Sequence, residues 1–312
     1  MNPLPKALLL PIDETEESLR PIHFLTRLYP KRDHVSLILH YLVPPLSPVY
    51  QQKPATEAIA SRKKELLRER EAKAREILEK AKKVLLKEGF SEDVIHEHVQ
   101  EKELSVAHHA CRLADFKKVD AVIVQKQTGS HLEGFMKGDP HSALLHHCIV
   151  SPIWFVDGQP EPSRAVICVQ ENDASLRAVD HAAFMLAETE VTLELVHFSR
   201  SVNHPIRCPL TDTTSAFRSW HAGQARAIQG FFDQVLMVVH DAGFDADRAR
   251  WSIQPSKGKV ASKILDYCKR EKAGIAVLGH AGSRGGTWDF LRSSITKTVL
   301  TDFKDMAVWV NQ

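Results

Sequence analysis

The chain repeats itself at long range. KALLLPIDETEESLRPIHFL, from Lys6, and RAVICVQENDASLRAVDHAAFML, from Arg164, share an apolar run, a polar turn, Ser-Leu-Arg and an amphipathic stretch. That order reads as a buried strand feeding a helix. The copies also close alike. VDAVIVQ from Val119 and AGIAVLG from Ala273 each lead through a polar loop and a helical stretch to a last strand, in SPIWFVD or DMAVWVN. A period of about half the chain is too long for a solenoid, so the repeated units are whole domains. A length of 312 residues agrees, since domains run to roughly 100–200 residues. The expected division is 1–156 and 163–312, joined by a linker at 157–162, DGQPEP, where Pro and Gly interrupt regular structure.

Within the first unit, apolar runs at 7–12, 34–42, 94–99, 121–124 and 152–156 are expected strands. Between them lie expected helices at 15–28, 56–88, 104–116 and 142–147, the first capped by Thr15 with Glu16 and Glu17 in its opening turn. The second unit repeats this order with strands at 165–169, 191–198, 250–254 and 275–278 and helices at 174–187, 219–242 and 260–270. Strands alternating with helices need crossover connections, hence parallel sheets with helices on both faces. The predicted fold class is α/β, with two tandem doubly wound five-stranded parallel-sheet domains. The stretch SRSVNHPIRCPLTDTTSAFRSW reads as an inserted loop that covers a ligand site or a partner surface.

With 43% hydrophobic and 26% charged residues the chain has the composition of a soluble globular protein. A formal charge of +2 gives no reason to expect nucleic acid as a partner. No apolar stretch approaches the ~20 residues of a membrane span, and the start lacks a cleavable signal pattern, so no membrane insertion and a cytoplasmic location are expected. The five cysteines are scattered without a C-x-x-C pair and are expected to be reduced. Seventeen histidines include His96, His98 and the pairs His108-His109 and His146-His147, but none has metal-site spacing, and no metal is predicted.

Chemistry concentrates after the fourth strand of the second unit, in VLGHAGSRGGTWDFLRSSITKTVL. Gly279, Gly282, Gly285 and Gly286 would let backbone amides approach a ligand, and Ser293 and Ser294 stand just before a helix. Such a loop suits phosphate, although a plain flexible turn has the same composition. In an open parallel sheet it lies beyond the carboxyl ends of the strands, where ligands bind. No Walker A pattern occurs, and glycines after the fourth strand are not the Rossmann fingerprint.

On these residues the chain resembles the universal stress protein family in its tandem, two-domain form. LLLPIDETEESLRP resembles the family opening, and Gly279-x-x-Gly282 with Ser293-Ser294 resembles its G-x2-G-x9-G-[ST] loop. The resemblance implies the adenine nucleotide alpha-hydrolase-like fold and ATP or another adenine nucleotide as ligand. By that likeness the candidate nucleotide residues are Val169, Gln170, Gly279, Gly282, Ser283, Gly285, Ser293 and Ser294 in the second unit, and Asp13 in the first. Each copy departs from the pattern. Gln170 takes the aspartate position of the second, whereas in the first Gln125 and Thr128 replace glycines and His141-Ser142 stands for Gly-Ser. The first unit is therefore expected not to bind ATP in the family manner, and Asp13 also reads as a simple turn residue.

Three functional readings follow from that resemblance. One is a non-enzymatic, stress-responsive regulator with weak nucleotide binding and an unidentified protein partner. The second is a nucleotide-hydrolysing or self-phosphorylating protein with Ser294 as acceptor; no catalytic residue pattern assigns it a base. The third is a nucleotide-free scaffold, its two domains pairing with one another face to face, with a further homodimer open. Trp154 and Trp309, in matching places on the last strands, are candidate contact residues or core.

Overall fold

A computed structural model of the chain describes residues 4–126, 151–212, 222–256, 258–279 and 294–311. Five strands build the first half: β1 (Lys6–Ile12), β2 (Val35–Val43), β3 (Ile95–Glu101), β4 (Ala121–Gln125) and β5 (Ile153–Val156). Its helices are α1 (Arg20–Leu28), α2 (Pro48–Gln51), α3 (Glu57–Lys87) and α4 (Val106–Lys117). The second half contains β6 (Arg164–Cys168), α5 (Asp173–Leu186), β7 (Thr192–Ser199), β8 (Ile206–Pro209) and α6 (Ala222–Asp241). It ends with β9 (Ala249–Pro255), α7 (Val260–Arg270), β10 (Ile275–Gly279), α8 (Ser294–Asp302) and β11 (Ala307–Asn311). The helix expected at 142–147 lies outside the described residues.

Local chemistry sets the ends of these elements. Thr56 Oγ1 accepts the amide of Ile59 to open α3, Ser105 Oγ accepts that of His108 to open α4, and Asn172 Oδ1 accepts that of Ser175 to open α5. The helix expected from Thr15 is divided. Glu16–Leu19 is a 3-10 turn, and the α-helix starts only at Arg20. Pro21, without an N–H, is tolerated only in a first turn. Ala178 occupies the equivalent place in the second half, where α5 runs unbroken from Asp173.

Both halves have the same strand order, β3-β2-β1-β4-β5 and β9-β7-β6-β10-β11, and neighbours within each are parallel. The halves do not form two separate sheets. β5 and β11 pair antiparallel, Trp154 opposite Trp309, and fuse the halves into one eleven-stranded sheet. They meet edge to edge rather than face to face. The inserted stretch is a second departure from expectation: it supplies β8, antiparallel to β9 at the sheet edge. Cys208 turns inward there, while Arg207 reaches the other face and pairs with Glu271 and with Tyr267 Oη at 3.1 Å. Pro209, which lacks a ladder donor, is acceptable on such an edge.

One core lies under α1, α3, α5 and α6 and the other under α4, α7 and α8. Each runs across both halves. At the seam the indoles of Trp154 and Trp309, both fully buried, stack 3.7 Å apart and 2° from parallel. Trp154 Nε1 donates to His181 Nε2 at 3.1 Å. The place of His181 in α1 is taken by Phe24, which has no acceptor, and Trp309 Nε1 is buried without a hydrogen-bond partner. The linker is packed rather than loose. A Cβ on Gly274 would sit 1.9 Å from the Glu161 carbonyl oxygen, so only glycine allows the backbones to cross there.

Cys168, Cys208 and Cys268 are free, but Cys111 is disulfide-bonded, which corrects the expectation of five reduced thiols. Pairing of that kind depends on spatial proximity and not on spacing in sequence. Among the described residues no helix is long and apolar enough to cross a membrane.

Candidate functional site

The strand order of each half reverses between its first and fourth strands, β1 and β4 or β6 and β10. Beyond the carboxyl ends of these pairs lies the crevice where doubly wound sheets bind ligands. In the second half the register Cys168↔Leu278 brings Val169 beside Gly279 at that crevice. Val169 is buried and its carbonyl lies 3.2 Å from His197 Nδ1, while Gln170 is exposed. Gln170 N donates to Ser175 Oγ at 2.9 Å, which ties the strand end to the first turn of α5.

Gly279 has a structural task as well. A Cβ there would come within 2.4 Å of the Ala174 carbonyl oxygen and 3.0 Å of Ser175 N, so the end of β10 touches the backbone of α5 directly. Gly279→Ala is expected to cost about 1–3 kcal/mol, as overpacking of a core does, measured by urea unfolding of the full chain. An unchanged midpoint would show that the close approach relaxes freely. Stability loss would obscure any loss of binding in this variant, so Gly279 is a poor probe of ligand contact.

Of the other candidates, Ser294 opens α8, and Gly282, Ser283, Gly285 and Ser293 lie outside the described residues. Sequence reading missed His197, inside β7, and Asn311, the last residue of β11. Asn311 pairs opposite Gly279, and its Nδ2 donates to the Arg177 carbonyl of α5 at 3.1 Å. Burial pushes the His197 imidazole below its ordinary pKa, while the bond to the Val169 carbonyl and Glu171 partly oppose this. For Asn311 the signal available was a polar side chain closing an apolar strand at its carboxyl end; His197, followed in β7 by Phe198 and Ser199, carried none.

The first half is arranged differently. Asp13 is exposed, and its Oδ1 accepts from Thr15 N at 2.8 Å and from Thr15 Oγ1 at 2.5 Å, a local turn. Continuing the register Leu9↔Val122 brings Asp13 level with Lys126. Lys126 is 8% exposed and crosses into the second half, where its Nζ donates to the carbonyls of Thr301 and Phe303 at 3.1 and 2.5 Å. It also lies 4.1 Å from the centre of the Phe303 ring. Burial pulls its pKa down, and Asp157 and Asp302 draw it back. A cation at the end of α8 meets the negative end of the helix dipole. The start of the degenerate loop is thus part of the clamp between the halves.

Other polar clusters have structural partners. Glu194, 1% exposed, receives Arg250 Nη2 at 2.9 Å and Tyr267 Oη at 2.5 Å, and Tyr267 Oη also lies 2.7 Å from Ser252 Oγ. With Glu271 and Arg207 these groups fasten β8 and α7 to the sheet edge. His40 Nδ1 lies 3.1 Å from His98 Nδ1, and burial lowers the His40 pKa to about 4. Among the described residues no three or more His, Cys, Asp or Glu side chains gather as metal ligands.

The fold and the two crevices define a class: paired doubly wound α/β units with ligand-type openings at the carboxyl ends of their strands. The model of the universal stress protein family matches residues 5–156 and again 162–307, so this chain belongs to that family, as a tandem of two such domains. Among solved structures it is similar to a universal stress protein from Archaeoglobus fulgidus at 14% identity, with 98% of this chain and 96% of that one covered and a TM-score of 0.60. A putative universal stress protein from Pseudomonas aeruginosa is also 14% identical, with 98% and 92% covered and a TM-score of 0.53. These likenesses concern the fold. No curated protein matches.

Proposed function

We propose that the chain is a non-enzymatic, cytoplasmic regulator of the stress response, whose second half binds an adenine nucleotide weakly. The observation that carries this reading is the asymmetry of the two crevices. In the second half Val169, Gln170 and Gly279 meet at the opening with the Gln170 side chain exposed. In the first, Lys126 is committed to the opposite half and Asp13 to its own turn. Gln170 can donate to and accept from an adenosine where a carboxylate would only accept. The glycine and serine sequence that follows β10 supplies amides and hydroxyls of the kind a phosphate needs. The nucleotide would then tune contacts with a regulatory protein partner.

Protein purified without added nucleotide, then denatured, is expected to release ATP, ADP or AMP identifiable by mass spectrometry, or to bind ATP in calorimetric titration. Gly282→Asp, which places a carboxylate where phosphate would sit, is expected to weaken binding at least tenfold without shifting the unfolding midpoint. An empty protein that also fails to bind ATP would sink this reading and leave the nucleotide-free scaffold. Phosphate release above background, or a phosphoryl group on Ser294, would replace it with the enzymatic one.

A further inference from the structure

Lys126 follows β4 at the place where a ligand loop would open in the first half, yet it serves the second. Its amide donates to the Val156 carbonyl at 2.7 Å, which fixes its backbone on β5, the seam strand. Its side chain runs to the closing end of α8, where the ammonium donates to the carbonyls of Thr301 and Phe303 and lies over the Phe303 ring. Asp157, the residue after β5, adds two ties to the turn behind α8. Its amide donates to the Met306 carbonyl and its Oδ2 accepts from Asp305 N, both at 3.0 Å.

The other end of the same helix belongs to the second crevice. α8 opens at Ser294, one of the candidate nucleotide residues, and its nine residues span about 14 Å at 1.5 Å per residue. Val299 and Leu300 bury its middle in the core shared with α4 and α7. So short a helix has little stability of its own, because nucleation is costly and the last four carbonyls find no partner within the helix. Thr301 lies in that last turn and Phe303 just past it, and Lys126 serves both carbonyls.

We propose that Lys126 is a positioning residue for the nucleotide site of the second half: by holding the closing end of α8 it fixes where the amides of the opening end stand, so that phosphate at one end is coupled to the seam at the other. The proposal rests on the reading of the second half as a nucleotide site. A cation at the carboxyl end and an anion at the amino end of one helix favour the same dipole, so each stabilises the helix that the other needs. Such coupling is reciprocal: as far as Lys126 helps phosphate to bind, phosphate tightens the hold of Lys126. The physical link is short, a single helix packed in the core. It also gives a task to a first half whose own loop departs from the nucleotide pattern.

The test titrates ATP and adenosine by calorimetry into the full chain and its Lys126→Met and Lys126→Arg variants, at a temperature where circular dichroism shows all three folded. Lys126→Met should weaken ATP binding about fivefold or more, a coupling of ordinary size, and Lys126→Arg, which keeps charge and donors, should recover most of it. Adenosine, which has no phosphate, should bind all three forms alike, a difference that general loosening of the structure would not produce. In the native chain, bound ATP should slow acetylation of Lys126 by sulfosuccinimidyl acetate about threefold or more, read by peptide mass spectrometry, and leave the exposed Lys83 of α3 unaffected. That measurement does not depend on a variant folding. Equal ATP affinity with and without the Lys126 side chain, equal losses for ATP and adenosine, or no protection by bound ATP would each overturn the coupling and leave the nucleotide reading in place. No ATP binding by the native chain would overturn both.

Discussion

Trp309→Ala is expected to lower the unfolding free energy of the whole chain by about 3–5 kcal/mol, the range for deleting a fully buried tryptophan. It empties one side of the indole stack at the seam, where β5 and β11 carry the sheet from one half to the other among the described residues. Substitution by phenylalanine separates packing from hydrogen bonding. Trp309→Phe removes an indole N–H that has no partner. Trp154→Phe removes the donor of the bond to His181 Nε2 and leaves that acceptor buried. Trp154→Phe should therefore be the more damaging of the two by about 1–3 kcal/mol, the cost of an orphaned polar group. Urea unfolding of both variants decides the matter. Equal losses would mean that the indole bond contributes nothing beyond packing.

Acid should loosen the same seam. Burial lowers the His181 pKa to about 3 from an ordinary value of 6.5. A neutral histidine in the native state and a protonatable one in the unfolded state mean that the unfolded chain binds more protons between these values. Stability is then fully present above about pH 6.5 and falls progressively as the pH drops toward 3, by on the order of 4 kcal/mol for this group at about 1.4 kcal/mol per pKa unit. His40, lowered to about 4, adds a loss of the same sign in the first half. His181→Phe, which copies Phe24 of the other half, should be less stable at pH 7.5 because Trp154 loses its acceptor. Its stability should also fall less on acidification, so the two curves converge as the pH drops toward 4. Parallel curves from pH 7.5 to 4 would show that His181 does not supply the acid sensitivity.

The candidate site was only partly legible in the chain. Gly279 stood out because glycines cluster after an apolar strand, yet the clash that demands glycine there comes from Ala174 and Ser175, which are a hundred residues away in sequence. Asp13 and Gln170 were visible as equivalent positions, but the turn that occupies Asp13 and the exposure of Gln170 are matters of local geometry. His197 and Asn311 lacked any motif and became neighbours of the site only through strand pairing. Lys126 carried no signal, since nothing near it in sequence shows that its ammonium ends at the last turn of α8.

The sequence by itself determined the duplication, the alternation of strand and helix, and the α/β class. Each of those is encoded locally, in the period at which apolar residues recur and in the residues that stop helices and strands. Only the tertiary structure decided that the two halves share one sheet, that β8 closes its far edge, and that a lysine of one half caps a helix of the other. Edge strands carry unpaired donors and acceptors that any other edge can satisfy, so the partner each finds is set by how the packed layers meet in space.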